Sequence, residues 1–221
     1  MKTNLNSQIM ATNNKALQSF KRTDFIERLV DYSIFPGRLM HWAIDIYPTV
    51  LMFTDSLEAN MKRAEKVSTN LAQEMKNQLD EEREHNRIWE NFMTSIGINA
   101  SLANRVNSSN NSVNVLNNWL WTVNSNSNYS IEEGIASIYA VEAVLLPLTR
   151  YSLDGILCTA RKLSSNADTR WFRIHTEAQE IKHAQKGLAF LGKYDETEKA
   201  DKILSSISTT QKYFFSTFQS S

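Results

Sequence analysis

The stretch SIEEGIASIYAVEAVLLPLTRYSLDGILCTARK, residues 130–162, decides how this chain is read. Ser130 and Glu133 form the pattern S-x-x-E. The serine hydroxyl can accept the third backbone N–H while the glutamate reaches back to the first, so a helix opens at about residue 131. From there to about 162 runs the most apolar segment of the chain. A single carboxylate, Glu142, interrupts the run IYAVEAVLL. Buried and unpartnered, it would be costly. It therefore needs a donor, a base such as Arg150, a metal ion, or a polar edge to face.

Working outward, the flanking segments also read as helix. Thr23 or Asp24 can cap a helix through Phe25, Leu29, Val30 and Tyr32, and FPGR at 35–38 is a turn. Leu39, Trp42, Ile46, Val50 and Phe53 keep the helical repeat over about 38–65, with Pro48 expected to kink it. A third helix spans about 66–97, with a break expected in the polar middle KNQLDEEREH and a stop at Gly97. Asn- and Ser-rich sequence follows, with a short helix over about 113–123. SSNAD at 164–168 is a turn, one helix follows over about 169–193, and a last covers about 195–218. Residues 1–20 read as a polar, flexible tail. No alternating strand patches with hairpin turns occur. The sequence predicts an all-α, single-domain bundle of about seven helices over 21–221.

Composition narrows the function. Twenty-four basic and 24 acidic residues cancel. That disfavours general nucleic-acid or membrane-surface binding. One cysteine, Cys158, forms no intrachain disulfide, and no apolar run is long enough to span a membrane, so a cytoplasmic protein is expected. Six glycines and no GxGxxG or P-loop pattern argue against a βαβ nucleotide site.

The residues that can carry chemistry are the histidines and their acidic neighbours. His85 follows Glu81 and Glu82 by four and three residues, so either acid can share its helix face. The DEERE run also suits an ordinary solvated face. In RIHTEAQEIKHAQ, residues 173–185, His175 and His183 stand eight apart. On a regular helix they would point roughly 80° apart. His175 with Gln179 shares one face, and Glu180 with His183 another. Histidines and carboxylates on neighbouring helices are how bundles hold dinuclear iron or manganese. His41 remains as a structural residue or an axial haem ligand.

Four segments together resemble the haem-oxygenase-like dimetal oxidases and oxygenases, which share the fold of haem oxygenase, TenA and PqqC. The nearest branch is that of the chlamydial proteins associating with death domains, which form para-aminobenzoate. The segments are NLAQE at 70–74, HNRIWENFMTSIG at 85–97, GIASIYAVEAVLLPLTR at 134–150 and WFRIHTEAQEIKHA at 171–184. Their order agrees over about 150 residues, and the resemblance implies Glu74, His85, Glu142, His175, Glu180 and His183 as metal ligands. Gln179 is the alternative to Glu180.

This chain departs from the pattern in three places. Glu74 and His85 are eleven apart, about 16 Å along an unbroken helix, so both can ligate only if the helix breaks; otherwise Glu81 or Glu82 replaces Glu74. One residue is added between His175 and His183, and a π-bulge would absorb it. RYSLDG lacks the lysine that para-aminobenzoate-forming members carry near the position of Ser152.

The resemblance implies two Fe(II) ions, or iron with manganese, using O2 on a small-molecule substrate such as an amino acid, amine or fatty acid. Tyr139 and Trp89 are candidates to line the pocket or to fill the core. Relatives are often homodimers, and Phe214, Phe215 and Phe218 suit either a partner surface or the core. The competing readings are a TenA- or PqqC-like protein without metals and a non-catalytic helical interaction protein.

Overall fold

The structure, a computed structural model, describes residues 4–103, 108–195 and 198–219, the side chains of Leu102, Ala178, Gln179 and Glu180 excepted. These residues form ten α-helices and no strand. They are α1 (Leu5–Lys21), α2 (Asp24–Val30), α3 (Pro36–Ala64), α4 (Thr69–Ser95), α5 (Ala100–Ala103), α6 (Asn111–Ser125), α7 (Ile131–Leu163), α8 (Arg170–Ile174), α9 (Ala178–Leu191) and α10 (Lys199–Gln219). A 3-10 turn, Gly192–Tyr194, follows α9.

The expected capping box opens α7. Ser130 Oγ accepts from the Glu133 backbone N–H at 3.2 Å, and Glu133 Oε2 accepts from that of Ser130 at 2.8 Å. α7 is the central element, packed against α1, α2, α3, α6, α8, α9 and α10. A helix so surrounded can be apolar on every side, which is why its sequence is. Gly155 permits the close approach of α2. A Cβ there would lie 1.8 Å from the Leu29 carbonyl oxygen at the end of α2.

One continuous core contains Phe20, Phe25, Trp42, Trp89, Trp171 and Phe214. The Phe20 ring centroid sits 5.3 Å from each of Phe214, Phe215 and Phe218. Phe214 and Phe218 are buried. They bind α10 to α1 and fill the core rather than present a partner face. Among the described residues no helix is long and apolar enough to cross a membrane.

Three expectations are corrected. Residues 5–20 are not a flexible tail, because they form most of α1. Its sparse apolar residues Leu5, Ile9 and Phe20 are buried against the bundle. Packing, not composition, stabilises that helix. α4 does not break in KNQLDEEREH; it runs unbroken to Ser95 and ends with Gly97 at φ 87°, the left-handed conformation that closes many helices. The helix expected over 169–193 is two helices, separated at residues 175–177. The first and last corrections, with the short α5, raise the count from about seven to ten.

Candidate metal centre

α4 places Glu82 and His85 one turn apart on its inner face, both buried, with Glu82 Oε2 3.1 Å from His85 Nδ1. α7 contributes Glu142, also buried, which accepts a hydrogen bond from Gln78 Nε2 of α4 at 2.5 Å. The junction of α8 and α9 contributes the histidines. His175 forms the C-cap of α8, and His183 lies within α9. The His85 and His175 rings stand 4.9 Å apart.

Glu82 is common to two groups. Ligand atoms of Glu82, His85 and His175 all lie within 4.8 Å of one another, as do those of Glu82, Glu142 and His183. Each group mixes imidazole and carboxylate, the donor set suited to iron or manganese.

The protonation of His175 and Glu82 favours ligation. His175 Nδ1 lies 2.7 Å from the Trp171 carbonyl oxygen. A carbonyl only accepts, so the proton sits on Nδ1 and Nε2 keeps its lone pair. Burial pushes the His175 imidazole down to about 4, against the opposing pull of Glu82, so the ring is neutral near pH 7. Its ring stacks on Trp171 with centroids 3.9 Å apart, which fixes its plane. Burial alone would raise the Glu82 carboxyl. The His85 hydrogen bond, and the charge that His85, His175 and His183 carry when protonated, outweigh it and hold Glu82 below its ordinary value.

His183 gives an independent test of the fit. Its Nε2 is 3.1 Å from Glu81 Oε2, while its Nδ1 is buried with no hydrogen-bond partner. Buried nitrogens are seldom left so. The residues present therefore fit a metal.

Not every expected ligand is brought in. Glu74 is exposed on α4, outside both groups. The unbroken helix carries it eight residues, about 12 Å along the axis, from Glu82. Glu82, one of the two alternatives named from sequence with Glu81, stands in both groups. The Glu180 side chain lies outside the described residues, as does that of Gln179; their backbone is in the first turn of α9. The added residue is absorbed by the break at 175–177 rather than by a π-bulge. His41 is exposed on α3, and Cys158 is half-buried on α7.

Two cavities flank the cluster, and Glu142 lies on the wall of each. The more polar one, about 100 Å³, is bounded by Glu74, Gln78, Glu81, Tyr139 and His183. The other, about 70 Å³, is bounded by Trp89, Trp171 and aliphatic side chains. Tyr139 and Trp89 thus do line pockets. Glu81, named from sequence as a possible ligand, instead pairs with His183, and Gln78 and Trp171 were not foreseen, although each sits one turn from a ligand candidate.

Residues 40–213 match the model of a family described as iron-containing redox enzymes. A search of curated protein sequences found no match. Similar solved structures include a TenA homologue from Pseudomonas syringae pv. tomato, at 15% identity, TM-score 0.79 and coverage of 96% of this chain and 90% of that one. A TenA homologue from P. horikoshii matches at 9% identity and TM-score 0.81, over 98% and 97% of the two chains. A domain of unknown function with a heme-oxygenase-like fold from Shewanella denitrificans matches at 12% identity and TM-score 0.74, over 100% and 92%. At these identities the likeness shows the fold alone: haem-oxygenase-like.

Proposed function

The chain belongs to the family of iron-containing redox enzymes, and we propose that it is a non-haem dimetal oxidase or oxygenase that uses O2 on a small metabolite. The observation that carries this reading is Glu82, one buried carboxylate common to two histidine-containing groups. Two iron ions, or iron with manganese, would be held by His85 and His175 on one side of Glu82 and by Glu142 and His183 on the other. When bound, that pair supplies the redox chemistry with O2, which no side chain of the protein provides.

The protein's part is positioning, charge and exclusion of water. The Trp171 carbonyl holds the His175 proton on Nδ1, so Nε2 serves as the ligand atom. Gln78 fixes one oxygen of Glu142 by its hydrogen bond. Glu82 and Glu142 offset cationic charge in an interior that would otherwise reject it. Glu81 stands beside His183 at the polar cavity, where it can accept a proton from a leaving or entering group. The tryptophans around His175 keep bulk water off that side.

The test is anaerobic reconstitution of the purified chain with Fe(II), followed by a count of bound metal. About two irons per chain, lost in His175→Ala and Glu142→Ala, supports the reading. An absence of stoichiometric iron, with wild type and variants alike, overturns it.

A further inference from the structure

The 70 Å³ cavity beside Glu82, Glu142 and His175 is walled by α3, α4, α7, α8 and α10. Trp42, Ile46, Trp89, Val141, Leu146 and Phe214 belong to its buried wall. Val50, Phe53 and Leu145 are the lining residues that are only half-buried, so the mouth lies between α3 and α7 and its rim is apolar too. The hydroxyl of Thr49 and the indole nitrogens of Trp42, Trp89 and Trp171 are buried away from any accessible surface. The wall therefore presents hydrocarbon and ring faces. Its ionisable groups are the metal-ligand candidates alone.

The cavity on the other flank of Glu142 has the opposite character. Glu74, Asn77, Gln78, Glu81 and Lys186 line it, and Glu74, Asn77 and Lys186 are exposed, so charged and amide groups face solvent at its entrance. A polar metabolite can exchange its water for those groups. In the apolar cavity it would lose its hydration with nothing outside the metal ligands to replace it. O2 has the reverse preference. It carries no charge, needs no hydrogen bond and passes favourably from water into apolar surroundings. Dry apolar cavities take up gas atoms such as xenon. At roughly 10–15 Å³ for each water-sized occupant, the space admits about two or three O2 molecules.

We propose that the apolar cavity is the O2 site of this protein. O2 enters at the rim of Val50, Phe53 and Leu145, collects between α3 and α7, and meets the metal ligands on the side of Glu82 and His175. The polar metabolite approaches on the other side, past Glu81 and His183. The two co-substrates thus reach one centre by routes of opposite polarity. The assignment to O2 rests on the dimetal reading; the cavity's affinity for a small apolar gas does not.

The experiment has two arms. Crystals of the metal-free full chain are pressurised with xenon, which is apolar, compact and located by its anomalous scattering. Xenon is expected among Trp89, Val141 and Leu145 and not in the polar cavity. Val50→Phe and Leu145→Phe, which fill the space from its two rims, should each abolish it. In the second arm the Fe(II)-loaded chain is mixed rapidly with O2 at a series of concentrations, and the rate of iron oxidation is followed, with iron counted in the same samples. Val50→Phe and Leu145→Phe should slow oxidation several-fold at low O2 with iron content unchanged. Leu71→Phe, which narrows the polar cavity instead, should leave the rate unchanged.

No xenon in the apolar cavity, or equal xenon in the polar one, overturns the proposal and leaves the metal centre standing if iron is bound. Filled variants that carry wild-type iron and oxidise it at the wild-type rate overturn it as well, because O2 then arrives by another way. Xenon bound in a chain that takes up no iron sinks the dimetal reading and the assignment to O2 with it.

Discussion

Arg150, on α7, donates from Nε and Nη2 to the carbonyl oxygen of Thr176, at 3.1 and 2.6 Å. That carbonyl belongs to the break between α8 and α9. The two hydrogen bonds tie the break to the helix that carries Glu142. His175 and His183 can both reach Glu82 only because the chain turns there, so Arg150 holds the geometry of a site it does not enter.

Arg150→Ala frees the break. The pairing is exposed, so its loss should cost stability only about 1 kcal/mol. Fe(II) affinity should fall more sharply, by about tenfold, as expected when a residue that orients ligands is removed. Thermal denaturation of the metal-free chain and an anaerobic Fe(II) titration read the two effects separately. Unchanged affinity would mean that the packing of α8 and α9 alone fixes the histidines.

The metal-free chain should lose stability as it is acidified through a defined window. In the unfolded chain His175 takes its proton near 6.5, and in the folded chain only at about 4. Between those values the unfolded state holds the extra proton, so stability falls as pH falls, by on the order of 3 kcal/mol. Glu82 acts in the same direction lower down. Its folded value lies below the ordinary 4.5, so its contribution is present above that pH and is lost on further acidification. Urea denaturation at a series of pH values should show this slope between 6.5 and 4 for wild type and a shallower one for His175→Gln. Equal slopes would contradict the burial argument.

Gly155→Ala tests the fold apart from the site. The new methyl would meet the Leu29 carbonyl oxygen, so α2 must move away from α7. Overpacking of this kind costs about 1–3 kcal/mol, which for a chain of this size lowers Tm by about 2–4 °C per kcal/mol. Fe(II) stoichiometry should not change. A Tm equal to wild type would show that α2 yields at no cost.

The legible parts of this protein are those set by local pattern. The Ser130 capping box, the apolar run of α7 and the stop at Gly97 are contained in a few neighbouring residues, and each appears where the sequence puts it. Leu5, Ile9 and Phe20 are too sparse to announce a helix, and α1 exists because α7 and α10 supply its partner surface. Which acid of α4 stands among the histidines, Glu82 or Glu74, depended on whether twenty-seven residues of α4 stay unbroken, which their polar middle does not reveal. The break at 175–177 was hidden for a related reason. It is stabilised by Arg150, twenty-six residues away in sequence.

Charge-neutral substitutions at the two rival acids should separate them. Glu82→Gln removes the carboxylate common to both groups, and Fe(II) binding should fall from about two ions per chain to one or none. Glu74→Gln alters an exposed side chain outside both groups, and Fe(II) binding should stay within twofold of wild type, about 0.4 kcal/mol. Tm of the two metal-free variants checks that each is folded.

The most direct measurement is diffraction at the iron absorption edge from crystals of the Fe(II)-loaded chain grown without oxygen. The account predicts two anomalous peaks, one between Glu82, His85 and His175 and the other between Glu82, Glu142 and His183. A single peak, peaks ligated by Glu74 with Glu82 unbound, or no iron at these histidines would contradict it.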